Sequence, residues 1–248
     1  PSAKAALAIL MALAVFNSAM AAMSLALQLF GRKSPVRRYL ADASYWIYIV
    51  HLPLVMVGQT LVLGLGALLL TGLLSLLLFP LISPLFGNRV SRTAGHGLLV
   101  VMRTTPEFFL AFFFLILLGP SMLPGILALA LHPGAIVAPL TGRFSESLTL
   151  RADAPTGINR YAWEVLPRVT PNLLAFLLYR WEVIMRETAV LGILGIHTLG
   201  FYIDSSVAEF RFDRTLLLIL ATVMLNLAVD ALSRGLRKRL RLKPGLGL

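Results

Sequence analysis

The sequence predicts an all-α integral membrane protein with about seven transmembrane helices. Of its 248 residues, 58% are hydrophobic and 13% are charged, and its mean hydropathy is +0.85. Soluble domains carry about 25% charged residues, so a chain this apolar has too little polar surface to cover itself in water. Several apolar runs also approach or exceed the ~20 residues that a helix needs to cross a lipid bilayer.

The expected spans follow the apolar runs in chain order. A run that lies in lipid is expected to be helical, because lipid satisfies no backbone hydrogen bonds. The run at residues 44–86 is too long for one crossing, so we expect a hairpin of two spans with a bend near Pro53 or Gly58. The expected spans are residues 5–30, two spans within 44–86, 104–118, 122–140, 172–196 and 215–232.

Basic residues predict how these spans are oriented. Loops rich in Lys and Arg stay in the cytoplasm. The charged residues within 197–213 are mainly acidic, so this loop is expected outside. This pattern predicts an N-terminus outside the membrane and a C-terminus in the cytoplasm. Most of the 22 Lys and Arg residues fall in four regions, which are residues 31–38, 89–103, 143–168 and 234–243.

The composition excludes several kinds of chemistry. Cys is absent, which excludes disulfides, thiolate metal sites and Cys nucleophiles, and the four His residues are scattered, so no metal is expected. The net charge of +11 comes without a polar segment that combines basic and aromatic residues, so we expect no nucleic-acid partner. A GxxxxGK[ST] phosphate-binding loop is also missing from the sequence, so we expect no P-loop binding of ATP by this chain.

Residues 141–171 form a polar segment that is long enough to work as a cytoplasmic device. Asp153 is a typical residue for a helix start, and Gly157 permits a tight turn between two short helices. Trp163 gives the second of these helices an apolar face, and we expect Pro167 to end it. An interfacial helix that merely joins two spans is an equally good interpretation on physical grounds.

A family resemblance extends from about residue 59 to residue 242. Four stretches carry it in order, namely RTTPE at 103–107, GILALALH at 125–132, RADAPTGINRYAWEVLP at 151–167 and YRWE at 179–182. They resemble the membrane-spanning permease subunit of ABC importers, nearest to the phosphonate-uptake type. The resemblance implies an importer-type permease core with a cytoplasmic coupling helix, in the inner membrane of a bacterium.

The resemblance also implies that residues 141–171 dock a separate ATPase. ATP and Mg would then be bound by that partner, and this chain would hold no cofactor. Arg151 stands where the family has Glu, and the interval 157–167 is about three residues shorter than the common signature. The residues expected to dock the ATPase are Arg151, Ala152, Asp153, Gly157, Tyr161, Trp163, Leu166 and Pro167.

Charged residues inside the expected spans indicate function or pairing, because charge in lipid is costly. Arg103 and Glu107 are four residues apart, as are Glu182 and Arg186, so each pair is expected to share a helix face and neutralise itself. We favour a structural role for these pairs. The alternative that Arg186 or Arg180 transiently binds a phosphonate-like anion through its guanidinium group stays open. The residues expected along a substrate pathway are Arg103, Glu107, Arg180, Glu182, Arg186 and Glu187.

The front of the chain resembles a different family. Residues 34–54, SPVRRYLADASYWIYIVHLPL, are similar to the closing helices of membrane acyltransferases that modify glycans. We interpret this as a fusion, natural or engineered, with a join between Met56 and Gly64. The expected domains are a membrane anchor at 1–57, a permease transmembrane domain at 58–242 and a cytoplasmic tail at 243–248.

Together these features predict the permease subunit of an ATP-driven importer. It would move a small oxyanion such as phosphonate, phosphite or phosphate by alternating access, with no covalent chemistry of its own. The implied partners are an ABC ATPase, a second permease chain (identical or related), a periplasmic substrate-binding protein and membrane lipid. Two alternatives remain: an acyltransferase remnant or accessory subunit, and a non-transporting membrane anchor.

Overall fold

The computed structural model describes Met20 and residues 35–240, with the side chains of 36–38 and 40–52 left aside. This part of the chain contains helices and no β-strand, so the predicted all-α class is confirmed and its seven α-helices agree with the expected number. They are α1 (Pro35–Ile82), α2 (Arg89–Thr104), α3 (Glu107–Leu118), α4 (Met122–Glu146), α5 (Leu166–Leu191), α6 (Leu199–Ala208) and α7 (Phe212–Arg239). A π-helix at Arg160–Val165 precedes α5, and a 3-10 helix at Gly192–Leu194 follows it.

Three of the described helices are long and apolar enough to cross a membrane. They are α4, α7 and the part of α1 from Pro53 to Ile82. Two bent pairs also qualify if each pair is one span: α2 with α3, bent by 92°, and Arg160–Leu194 with α6, bent by 41°. The expected span at 5–30, apart from Met20, and the expected tail at 243–248 lie outside the described residues.

The expected hairpin at residues 44–86 is wrong. Helix α1 runs from Pro35 to Ile82 and passes through both proposed bend sites. Pro53 removes only one backbone hydrogen bond, which a helix in a membrane protein tolerates. Gly58 has no neighbouring atom within 4 Å of where a Cβ would lie, so no close contact requires a bend there.

A sharp bend separates α2 from α3 inside the expected span at 104–118. Thr105 has an extended backbone with φ −81° and ψ 117°, and Pro106 caps the start of α3. A residue before Pro avoids the helical region because the ring clashes with its backbone, so the chain turns here. Helix α2 was not expected from hydropathy, because its 16 residues include polar and basic side chains along one face.

The chain divides into two compact units, Pro1–Leu54 and Val55–Leu248. Within Val55–Leu248 one core cluster joins α1, α3, α4, α5 and the loop that precedes α6. Its members are buried and aliphatic, and they are Leu63, Ala67, Ala111, Ala128, Leu129, Ile184, Leu191 and Ile196. A second cluster joins the end of α1 to α2, α4 and the start of α5, and contains Phe79, Ile82, Leu99, Ala135, Ala138, Val165 and Val169.

Residues 197–213, expected as an outer loop, mostly form helix α6. The helix packs on α1 of the same unit, where Leu199 N donates to Thr60 Oγ1 at 3.1 Å and Tyr202 Oη lies 3.3 Å from Gln59 Oε1. The Tyr202 hydroxyl therefore has a hydrogen-bond partner within the chain. Asp204 and Glu209 remain exposed.

The turn from α5 into α6 needs glycine at two positions that touch. A Cβ on Gly192 would overlap the backbone of Gly200 and Phe201, and a Cβ on Gly200 would overlap the carbonyl oxygen of Ala189. Because backbone atoms cannot move aside as a flexible side chain does, these contacts specify glycine.

We expect Gly200→Ala to destabilise the chain by about 3 kcal/mol, the upper end of the usual cost of overpacking, since backbone atoms cannot move aside. The matched control is Gly97→Ala in α2, where no atom lies within 4 Å of the added Cβ. Thermal unfolding in detergent should show a large drop in Tm for the first variant only. Equal Tm values for the two variants would contradict the close approach of α5 and α6.

Candidate coupling segment and intramembrane charge cluster

The coupling segment, defined here as residues 147–165, joins the end of α4 to the start of α5. A separate helix starting at Asp153 is absent, since residues 147–157 contain turns and helical structure resumes at residue 158. The π-helix Arg160–Val165 then passes directly into α5, and Pro167 lies in the first turn of α5. The expectation that Pro167 ends a helix is wrong, because Pro is well suited to a first turn, where its missing N–H has no partner to lose.

Glu164 holds the two ends of this segment together. Glu164 is 6% exposed. Its carboxylate accepts a hydrogen bond from Arg151 N at 3.3 Å and forms an ion pair with Arg168 Nη2 at 3.1 Å. Arg168 Nη1 also donates to the carbonyl of Thr149 at 2.7 Å. A buried carboxylate needs such partners, so these contacts fix the path of the chain after α4.

Tyr161 connects the segment to α1. Its hydroxyl donates to the carbonyl of Leu76 at 3.0 Å, and its ring packs against Phe79 and Phe86 with centroids 5.5 and 5.7 Å away. Tyr161 therefore anchors the segment to α1, and its expected role in docking stays a prediction. Beside it lies an open cavity of about 440 Å³, lined by Leu76, Leu77, Pro80, Leu85, Phe86, Gly157, Ile158 and Tyr161.

Two large apolar side chains project from this supported segment. Ile158 is 80% exposed and Trp163 is 79% exposed. Gly157, immediately before Ile158, has φ +66°, a left-handed conformation that glycine adopts without strain. Arg160 Nε donates to the carbonyl of Pro155 at 2.8 Å and closes the turn.

The structure brings most of the expected docking residues to one exposed segment. Leu166 and Tyr161 are partly buried. Sequence reasoning missed the exposed Ile158 and the ion pair between buried Glu164 and exposed Arg168, whose spacing of four residues was a usable signal. The expected docking residues that are exposed are Arg151, Ala152, Asp153, Gly157, Trp163 and Pro167.

The second site is a charge cluster, defined as Glu107, His132, Arg180 and Glu187. It joins the start of α3 to the middle of α4 and of α5. Glu107 Oε1 lies 3.2 Å from His132 Nε2 and 3.5 Å from Arg180 Nη2. Arg180 Nη2 also lies 3.5 Å from Glu187 Oε1.

One expected ion pair within the spans is wrong and the other is confirmed. Arg103 and Glu107 lie on opposite sides of the Thr105–Pro106 bend, in different helices, and Glu107 pairs with the cluster instead. Glu182 and Arg186 lie on α5 without a break and pair at 3.0 Å. The i,i+4 rule requires a continuous helix, and Pro106 removes that condition.

His132 is the cluster member that sequence reasoning did not single out. It lies in the apolar helix α4, one residue before Pro133, where a polar ring in lipid needs a partner. That position was a usable signal, although its partners, the Glu107 carboxylate and the Thr105 carbonyl, lie 25 and 27 positions away in the chain. Only the tertiary structure shows which residues these partners are.

The chain has curated relatives among transport permeases, and no family model matches it. It is 31% identical over 153 residues to the phosphite transport system permease protein PtxC of Stutzerimonas stutzeri, covering 58% of this chain and 54% of that protein. It is 28% identical over 119 residues to the putative cryptic phosphonate transport system permease protein PhnE2 of Escherichia coli strain K12. That match covers 46% of this chain and 98% of the relative.

Solved structures of ABC transporters have the same fold. An amino acid ABC transporter with histidines matches 79% of this chain and 97% of its own, with a TM-score of 0.62 and 18% identity. The MetNI methionine ABC transporter in an inward-facing conformation matches 82% of this chain and 99% of its own, with a TM-score of 0.54 and 16% identity. The predicted resemblance to ABC importer permeases is confirmed.

The permease relationship applies to a part of the sequence. The chain spans about half the length of the phosphite permease that it matches. Its apolar helices and bacterial permease relatives make it a multi-pass protein of a bacterial inner membrane. The orientation of its termini, the domain boundaries and the acyltransferase likeness at residues 34–54 stay predictions.

We expect Gly157→Ala to destabilise the coupling segment, because a side chain in the left-handed region costs roughly 1–2 kcal/mol. Space is not the cause, since no atom lies within 4 Å of the added Cβ. Limited proteolysis should therefore cut the variant faster between α4 and α5. The control Gly235→Ala adds an equally uncrowded Cβ within helix α7 and should leave the cleavage rate unchanged; faster cutting in both variants would contradict this origin.

We expect Arg180→Gln to cost roughly 3 kcal/mol of stability, because it leaves two carboxylates with no guanidinium between them. Arg180 is 17% exposed, whereas Arg186 is 61% exposed and pairs at the surface of the chain. Arg186→Gln should therefore change stability by less than about 1 kcal/mol. Thermal unfolding of both variants in the same detergent checks the contrast, and a larger effect for Arg186→Gln would refute it.

Proposed function

We propose that this chain is a permease subunit of an ATP-driven importer and that it translocates a small oxyanion, such as phosphonate, phosphite or phosphate. The relatives named for phosphite and phosphonate transport support the substrate class. The fold of ABC importer permeases supports the transport role. The chain performs no covalent chemistry in this proposal, and a separate ATPase binds ATP and Mg.

The observation that carries the proposal is the construction of the coupling segment. Buried contacts of Tyr161 and Glu164 hold it against α1 and α5, while Ile158 and Trp163 are left exposed. Exposed aromatic side chains on a rigid support are typical of residues that dominate binding to a partner protein. We infer that Trp163 enters a groove of the ATPase, so that nucleotide-driven closure moves α1 and α5 together.

The proposed partners follow from this role. They are an ABC ATPase, a second permease chain, a periplasmic substrate-binding protein and membrane lipid. The pathway would lie between the two permease chains, so its charged groups should be accessible from outside the single chain. Arg103 and Arg186 are exposed guanidinium groups, which match oxyanions well, whereas Arg180 is enclosed by two carboxylates. We therefore assign anion contact to Arg103 and Arg186 and pairing to Arg180.

The test is recovery of the ATPase with the tagged chain from its native membrane in mild detergent. We expect the full chain to retain an ABC ATPase in stoichiometric amount and Trp163→Ala to reduce that amount at least tenfold, a loss of about 1.4 kcal/mol. Phe212→Ala is the matched control, because Phe212 is also an exposed aromatic residue but lies at the start of α7.

Three outcomes separate the alternatives. Retention by the control and loss by Trp163→Ala support docking through the coupling segment. A full chain that is recovered without any ATPase contradicts the permease function and favours the non-transporting anchor. Recovery together with glycan-modifying proteins favours the acyltransferase accessory.

A further inference from the structure

A neutral His132 beside an ionised Glu107 supplies too few hydrogen atoms for the contacts that His132 makes. His132 Nδ1 lies 3.1 Å from the carbonyl oxygen of Thr105, and Nε2 lies 3.2 Å from Glu107 Oε1. A carbonyl and a carboxylate only accept hydrogen bonds, so both ring nitrogens face acceptors. A neutral imidazole has hydrogen on one nitrogen. Either tautomer beside an ionised Glu107 therefore leaves two lone pairs facing each other.

We propose that the charge cluster is a proton-binding site, with one exchangeable proton held between His132 Nε2 and Glu107 Oε1. Two forms satisfy every contact. In one, an imidazolium donates to both the Thr105 carbonyl and the Glu107 carboxylate. In the other, His132 keeps its hydrogen on Nδ1 and accepts at Nε2 from a protonated Glu107. Removal of the proton leaves no arrangement in which both contacts are hydrogen bonds.

The charges around this contact favour the bound proton. The carboxylates of Glu107 and Glu187 flank the single guanidinium of Arg180, at 3.5 Å from each. With a neutral His132 the formal charges are two negative and one positive, so the net charge is −1, and one proton brings it to zero. An uncompensated charge among membrane-spanning helices is costly, so the neutral cluster is the more stable one.

The helices that pack on the cluster bring few other charged groups to it. On α5, Glu182 and Arg186 pair with each other at 3.0 Å, and Arg186 also acts electrostatically on the carboxylate of Glu187. Arg103, near the end of α2, is exposed. The titratable groups that face the His132–Glu107 contact among the described residues are thus Arg180 and Glu187, and the proton belongs to the four-residue cluster as a whole.

The cluster is also accessible enough to exchange its proton. Its side chains are between 16% and 25% exposed. Arg180 Nε and Glu187 Oε2 are buried atoms that lack a hydrogen-bond partner, so the cluster has one donor and one acceptor left over. Glu187 Oε2 is a second oxygen that can receive a proton when the His132–Glu107 contact opens.

Proton binding has a consequence for transport that rests on the proposed function. An oxyanion that passes near the cluster meets a net charge of zero when the proton is bound and −1 when it is released. Repulsion is therefore lower at lower pH. Uptake by the chain should decline as rising pH removes the proton.

The direct test does not depend on transport. The full chain with ¹⁵N-labelled histidine is purified in lipid nanodiscs with its accompanying subunits, and the signal missing from the His132→Gln spectrum is assigned to His132. We expect at pH 7 either a doubly protonated ring or a neutral ring with hydrogen on Nδ1. In the second case, infrared difference spectra should show a protonated carboxyl band that disappears in Glu107→Gln and persists in the control Glu182→Gln. A neutral His132 beside an ionised Glu107 overturns the proposal.

A second measurement links the site to uptake. In proteoliposomes that contain the whole transporter, phosphite uptake by the wild type divided by that of His132→Gln should fall several-fold as the pH is raised. Taking this ratio cancels the effect of phosphite's own titration, which is the same for both proteins. His96→Gln, which changes an exposed histidine of α2, should leave the pH profile of the wild type unchanged. Absence of uptake in every variant contradicts the proposed function, whereas uptake with a constant ratio contradicts a role of the proton in transport.

Discussion

The carboxylate of Glu107 is the contact on which the arrangement of the middle helices depends. It lies at the first residue of α3, immediately after the bend at Pro106, and meets His132 of α4 and Arg180 of α5. A membrane interior offers no water to solvate a charge, so each of these groups needs the others. The bend is therefore stabilised by these contacts of Glu107 as well as caused by the ring of Pro106. Without the bend, Glu107 would continue the face of α2, and Arg180 would pair with Glu187 alone.

The coupling segment is also joined to the membrane helices by a polar contact between residues far apart in sequence. Tyr161 contacts a backbone carbonyl of α1 across 85 residues of sequence, and the π-helix that contains it continues into α5 without a break. A displacement of Trp163 would therefore move α5 directly and α1 through Tyr161. This gives the exposed part of the segment two mechanical connections to the core, which a flexible linker between spans would lack.

Close packing of α4 makes these contacts possible. Helix α4 is extensively buried and carries small residues where it faces α1, including Gly134 against Leu74 and Gly142 against Ile82. Small residues let helix backbones approach closely in membranes, where apolar burial between helices supplies little driving force. The approach also brings His132 to Glu107, so packing and the charge cluster are parts of one arrangement.

The sequence by itself determined the helical class, the membrane location and the resemblance to ABC importer permeases, because apolar runs and ordered short motifs are features of the local sequence. It also predicted the Glu182–Arg186 pair, since both residues lie on one unbroken helix. The tertiary structure decided which residues meet across helices. The continuous α1, the partners of Glu107, the use of Tyr161 inside the chain and the exposure of Ile158 all depend on contacts between residues far apart in sequence. A local pattern carries no information on such contacts, because they arise from how helices of matched shape and charge pack in the absence of water.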